Sequence, residues 1–166
     1  MKDRPMTRLP ENILELINAT LGGYNTTIGL VFVKAEPDEF VAQISVDSRH
    51  HMPYGLVHGG VYASMIETVC STGAAITVIS ENKSAVGLEN STSFLHAVRS
   101  GILRCTARPL ALGNRSHVWE AQVHDDSGRL VATGRVRLMI LESGAQAAGE
   151  TVGLDSSASD PNTFPA

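Results

Sequence analysis

The sequence predicts an α+β fold in which an antiparallel sheet wraps around one long central helix, and three features point to it. Between Arg49 and Glu81 the only Asp, Glu, Lys or Arg is Glu67, so the Val-, Ile-, Ala- and Met-rich segment after Gly59-Gly60 reads as a buried helix. Two alternating apolar stretches precede it and four follow, each bounded by turn residues, which reads as six strands. With 166 residues, 43% hydrophobic and 18% charged, the chain suffices for one core and hardly for two.

In chain order, residues 11–20 carry Ile13, Leu14 and Ile17 at helical spacing and stop before Gly22-Gly23. This predicts a short helix that caps one sheet edge, within an N-terminal segment of residues 1–23. Ile28, Leu30 and Phe32 alternate, and after the Glu36-Pro37-Asp38 turn Phe40, Ala42, Ile44 and Val46 alternate again, a two-stranded hairpin. The long helix spans about 59–80, and strands follow at about 84–95, 101–112, 115–125 and 129–141, the last two joined by Asp125-Asp126-Ser127-Gly128. Residues 24–142 therefore form the main domain. Beyond it the composition shifts to Ser, Gly, Ala, Asp and Pro, which predicts a flexible C-terminal tail over 143–166.

Composition excludes several functions. A formal net charge of -4, without a basic run interleaved with aromatics, argues against general nucleic-acid binding. No run of about 18 apolar residues free of polar ones occurs, and MKDRPMTRLP lacks a signal-peptide core, so a cytoplasmic protein without membrane contact is expected. Cys70 and Cys105 show no C-x-x-C spacing and read as core thiols. The histidines are scattered without H-E-x-x-H, and no metal is expected.

Glu67 is the residue that asks for an explanation, because ionised carboxylates are rarely buried without a partner. Gly60, Ser64, Glu67 and Ser71 share one helical stripe, which gives the carboxylate hydroxyl neighbours and lets Ser71 orient it or an attacking water. The plain alternative is a core carboxylate satisfied by Ser64 and Ser71. Gly59 and Gly60 leave the first helical amides unobstructed at the positive end of the dipole, an oxyanion site in outline. His58, a further candidate, lies on the opposite face from Glu67, so within one chain the two cannot pair. Gly59 and Glu67 are also separated by roughly 12 Å of helix rise. Two antiparallel copies would have to share a site that uses both.

The run Gly55-Leu56-Val57-His58-Gly59-Gly60, with Glu67 nine residues after the His, resembles the hotdog-fold acyl-CoA thioesterases. The group holds 4-hydroxybenzoyl-CoA thioesterase and the phenylacetate-pathway thioesterases, and the resemblance covers about residues 24–141. It implies hydrolysis of an acyl-CoA, aryl-acyl-CoA among the candidates, to free acid and CoA, by a homodimer or dimer of dimers with shared sites. Coenzyme A would be part of the substrate, and no cofactor is implied. Gly59's amide would polarise the thioester carbonyl, with Glu67 of the partner subunit as nucleophile or general base. The family commonly has Gln six residues before the His; this chain has Met52, with His51 as candidate substitute. A dehydratase or hydratase on the same fold, or a non-catalytic acyl-CoA-binding module, are the alternatives.

Seven of the ten arginines lie from Arg99 onward, and the bland reading for most is a solvated strand face. Gly113-Asn114-Arg115-Ser116 differs, offering backbone amides, a guanidinium and a hydroxyl at one tight turn. The resemblance nominates Asn114, Arg115 and Ser116 for the nucleotide and phosphates of coenzyme A, together with His96, a weaker phosphate contact than Arg. Asn90, Thr92 and Phe94, on the strand leading to His96, are candidates for the acyl pocket.

Overall fold

The computed structural model describes residues 9–152. Helices α1 (Ile13–Ala19) and α2 (Gly22–Thr27) lead into strands β1 (Val31–Glu36) and β2 (Glu39–Val46). The long helix α3 (Gly59–Ile79) follows, then β3 (Ser84–Phe94), β4 (Gly101–Leu112), β5 (Ser116–His124) and β6 (Leu130–Leu141). The six strands form one antiparallel sheet in the order β1-β2-β4-β5-β6-β3. This is the architecture read from the sequence.

Alternation explains the sheet. On β5, His117, Trp119, Ala121 and Val123 face inward, while Ser116, Glu120 and Gln122 are exposed. Helix α3 lies across this inner face and buries Val61, Tyr62, Met65, Ile66, Val69, Cys70, Ala74 and Ile76 against β2, β4, β5, β6 and β3. Gly73 sits where helix and sheet meet most closely: a Cβ there would stand 2.6 Å from the Trp119 ring. Trp119 in turn meets Phe40 edge-on, with ring centroids 5.9 Å apart. Cys70 and Cys105 are free and buried, and burial raises both thiol pKa values. By length and composition α3 could cross a membrane, but 50% of that apolar window is buried inside the protein.

The N-terminal region departs from expectation. Gly22-Gly23 does not simply end a helix; α1 stops at Ala19 and the glycines begin α2. Ile28 and Leu30 accordingly precede β1, with Gly29 at φ +65° turning the chain between them. Leu30 is nevertheless buried, so the inward alternation seen in the sequence persists before the strand begins.

The two sheet edges are treated differently. On β1, the Asn18 amide donates to Phe32 O and its Oδ1 accepts from Phe32 N–H, both at 2.9 Å, so α1 occupies backbone groups of that edge. On β3 most side chains from Gly87 to Phe94 are exposed. Past Leu141, Gln146–Ala147 and Glu150–Thr151 form a small hairpin, β7 and β8, which Ser84 Oγ reaches by donating to Val152 O at 3.2 Å. Regular structure thus continues into the segment expected to be flexible from 143, and residues 153–166 of that expectation lie outside the described residues.

Candidate active site

The start of α3 is built by a loop that exhausts most of its amides. His58 is the N-cap: its Nδ1 accepts from Gly60 N–H at 2.9 Å and its carbonyl accepts from Val61 N–H at 2.9 Å. Gly59 N–H is left without an acceptor among the described residues, at the positive end of a 21-residue helix. The preceding loop is clamped by Arg99, whose Nη1 donates to Tyr54 O at 3.0 Å and Gly55 O at 3.2 Å. His51 Nε2 donates to Arg99 O at 2.7 Å. That bond engages His51 in holding the loop, while Met52 lines the cleft beside Gly59.

Two turns further along, Glu67 is half-buried on the polar stripe of α3. The expected hydroxyl partners are engaged elsewhere. Ser71 Oγ donates to Thr68 O at 3.2 Å, and Ser64 Oγ donates to Gly60 O at 2.7 Å while accepting from Tyr24 OH at 2.5 Å. The partner of Glu67 is instead Asn90 on β3, whose Nδ2 donates to Oε2 at 2.9 Å and to Ala63 O at 3.1 Å. Thr92 Oγ1 donates to Asn90 Oδ1 at 2.6 Å and fixes the amide's orientation. The other carboxylate oxygen, Oε1, lies against Gly87, in the space a Cβ would take. Gly87 lies beside a register shift in the β3–β6 pairing.

Two adjoining clefts result. One, of about 580 Å³, is lined by Glu67, Asn90, Thr92, Ser64 and Tyr24; the other, of about 250 Å³, by Gly59, Met52, Tyr62 and His96. Phe94 lines both. Chemically, the first offers a carboxylate held by one amide donor, and the second an unpaired backbone donor at a helix N-terminus.

The coenzyme A candidates do not converge in one chain. His96 N–H donates to Val131 O, whereas Arg115 O accepts from Ile140 N–H. Along β6 those points lie about 30 Å apart. Asn114, Arg115 and Ser116 are exposed in the β4–β5 turn, closed by Gly113 N–H to Ser116 O at 3.0 Å. Of the seven later arginines, Arg108 pairs with Glu39, Arg129 with Asp125 and Arg137 with Glu89. Arg115 makes no side-chain hydrogen bond or ion pair within the described residues.

Sequence reading missed Gly87, Tyr24 and Asn25. Asn25 accepts from Thr68 Oγ1 at 2.8 Å, so α2 covers the polar face of α3. The available signal for Gly87 was a glycine interrupting a strand pattern, which marks a close approach. For Tyr24 and Asn25 there was none, because their partners lie about forty positions away.

The model of the thioesterase superfamily matches residues 54–132. The proofreading thioesterase EntH of Cronobacter sakazakii is 37% identical over 129 residues, covering 77% of this chain and 93% of that protein. The 1,4-dihydroxy-2-naphthoyl-CoA hydrolase of Escherichia coli is 34% identical over 131 residues, covering 77% of this chain and 94% of that one. Among solved structures, a mutant thioesterase from Pseudomonas aeruginosa superposes with a TM-score of 0.76 at 29% identity, covering 82% of this chain and 97% of its own.

Proposed function

This chain belongs to the thioesterase superfamily and is a thioester hydrolase of the hotdog fold; from that premise we propose that it hydrolyses an acyl-CoA, aryl-acyl-CoA among the candidates, to free acid and CoA. The observation that carries the reading is that one helix, α3, presents both the Gly59 N–H, without an acceptor among the described residues, and the Glu67 carboxylate, which Asn90 of β3 holds. The thioester carbonyl accepts from Gly59 N–H, which stabilises the oxyanion as it forms. Glu67, as general base, takes a proton from water while the water oxygen bonds to the carbonyl carbon. The C–S bond then breaks, and the CoA sulfur takes up the proton that Glu67 removed from water, so that CoA leaves as the thiol and the carboxylate is regenerated. In the alternative with Glu67 as nucleophile, the carboxylate bonds to the carbonyl carbon and the C–S bond breaks to expel the CoA thiolate, which takes a proton from solvent; water then hydrolyses the resulting anhydride to the free acid and the Glu67 carboxylate.

Gly59 and Glu67 lie about 12 Å apart along the helix, too far for one small reacting group, so the proposal places the site between two copies. The open β3 edge supports such a pair. Antiparallel pairing of two β3 edges about Asn90 and Ser91 sets Phe94, and the Gly59 beneath it, opposite Gly87 of the partner subunit, beside which the partner's Glu67 lies. The same pairing offers a second chain to complete coenzyme A binding by Asn114, Arg115 and Ser116, for which His96 is remote in its own subunit.

The test is release of free thiol from a panel of acyl-CoAs by the wild type and by Glu67→Gln. Turnover is expected in the wild type and abolished in the variant, with acyl-CoA affinity within a few fold because volume is preserved. Near-normal kcat in the variant would remove Glu67 from the mechanism. An inert wild type that still binds acyl-CoA would contradict hydrolysis of this substrate class.

A further inference from the structure

The aromatic ring at the end of β3 sits where the two clefts meet. A Cβ on Gly59 would stand 2.7 Å from Phe94 Cε2, so the ring lies directly over the glycine whose amide is unpaired. Its other neighbour is Tyr62, with ring centroids 5.9 Å apart and planes inclined by 37°. Phe94 contributes to the cleft holding Glu67 and to the cleft holding Gly59, and it is 57% exposed. The backbone here is fixed, since Phe94 pairs with Ala132 on β6 and Leu95 N–H donates to Val131 O at 2.8 Å. Only the side chain is left to move.

We propose that Phe94 is a movable partition that sets which acyl groups can reach Gly59. The inference rests on the reading of these clefts as the thioester site. With the ring over Gly59, a carbonyl can approach the amide only from the smaller cleft, which accommodates a short acyl group. A bulky acyl group extends into the larger cleft and must turn the ring aside. Phe94 is therefore a specificity-determining residue, acting by steric exclusion and not by proton transfer.

The experiment compares wild type, Phe94→Ala and Phe94→Trp on acetyl-CoA, hexanoyl-CoA and 2-naphthoyl-CoA. Dissociation constants are measured in parallel for the matching non-hydrolysable S-alkyl-CoA thioethers. The Ala variant should raise kcat/KM for 2-naphthoyl relative to acetyl by about tenfold or more, the scale at which pocket sterics discriminate. The Trp variant should move the ratio the other way, and thioether affinities should follow the same order. A ratio unchanged in the Ala variant while the wild type turns over both substrates would overturn the partition and leave hydrolysis standing. If no substrate is turned over but thioether affinities still reorder, the partition stands and the hydrolytic reading fails. Equal losses on every substrate would mark Phe94 as merely structural and overturn the proposal.

Discussion

At the scale of single residues, the position of the Glu67 carboxylate is set by what β3 presents to it. Asn90 holds one oxygen, and the absent side chain at Gly87 makes room for the other. Gly87→Ala should therefore act on chemistry more than on stability, because the atom it displaces is the far end of a flexible side chain. A fall in kcat of roughly a hundredfold is expected for a displacement of about 1 Å, with little change in Tm. An unaltered kcat would show that the carboxylate has other productive positions. The sequence singles out Glu67 by its isolation and Gly59 by its place at the start of an apolar helix as candidates. It could not identify Asn90 as the carboxylate's partner, since that pairing depends on how β3 lies along α3, which no local pattern encodes.

Among the elements, α3 and the sheet depend on each other through Gly73, where ring and helix backbone are in contact. Gly73→Ala should cost about 1–3 kcal/mol by overpacking, despite the better helix propensity of Ala. A rise in Tm would show that the Trp119 ring can retreat. Strands β4, β5 and β6 are legible to within a residue or so because one face is buried and the other is wet, and they alternate along most of their length. Helix α2 was not legible. Its six residues, GGYNTT, contain no apolar periodicity, and it is held by tertiary bonds from Tyr24 and Asn25 to α3. Two glycines at its start favoured the reading of a stop.

For the whole molecule, the central issue is that groups suited to one reaction are spread along the length of a single chain. The β4–β5 turn carries Arg115, whose guanidinium has no partner among the described residues. Arg115→Ala should raise KM more than it lowers kcat for acyl-CoA, weaken the salt dependence of kcat/KM, and hardly affect an acyl-pantetheine substrate. Equal effects on both substrates would make the residue structural. The sequence raises a site shared between two copies through helix rise alone. It could not convey which surface is open to a second copy, because strand order decides which strand is left at an edge.

The most direct test of a shared site is complementation. Glu67→Gln chains and Gly59→Leu chains, each inactive and each shown to fold, are co-expressed with different tags and the mixed dimers isolated. One site in each mixed dimer then carries both defects and the other neither, so activity should return to as much as half that of the wild-type dimer. Verified heterodimers without activity would place Gly59 and Glu67 outside a common site and contradict the account.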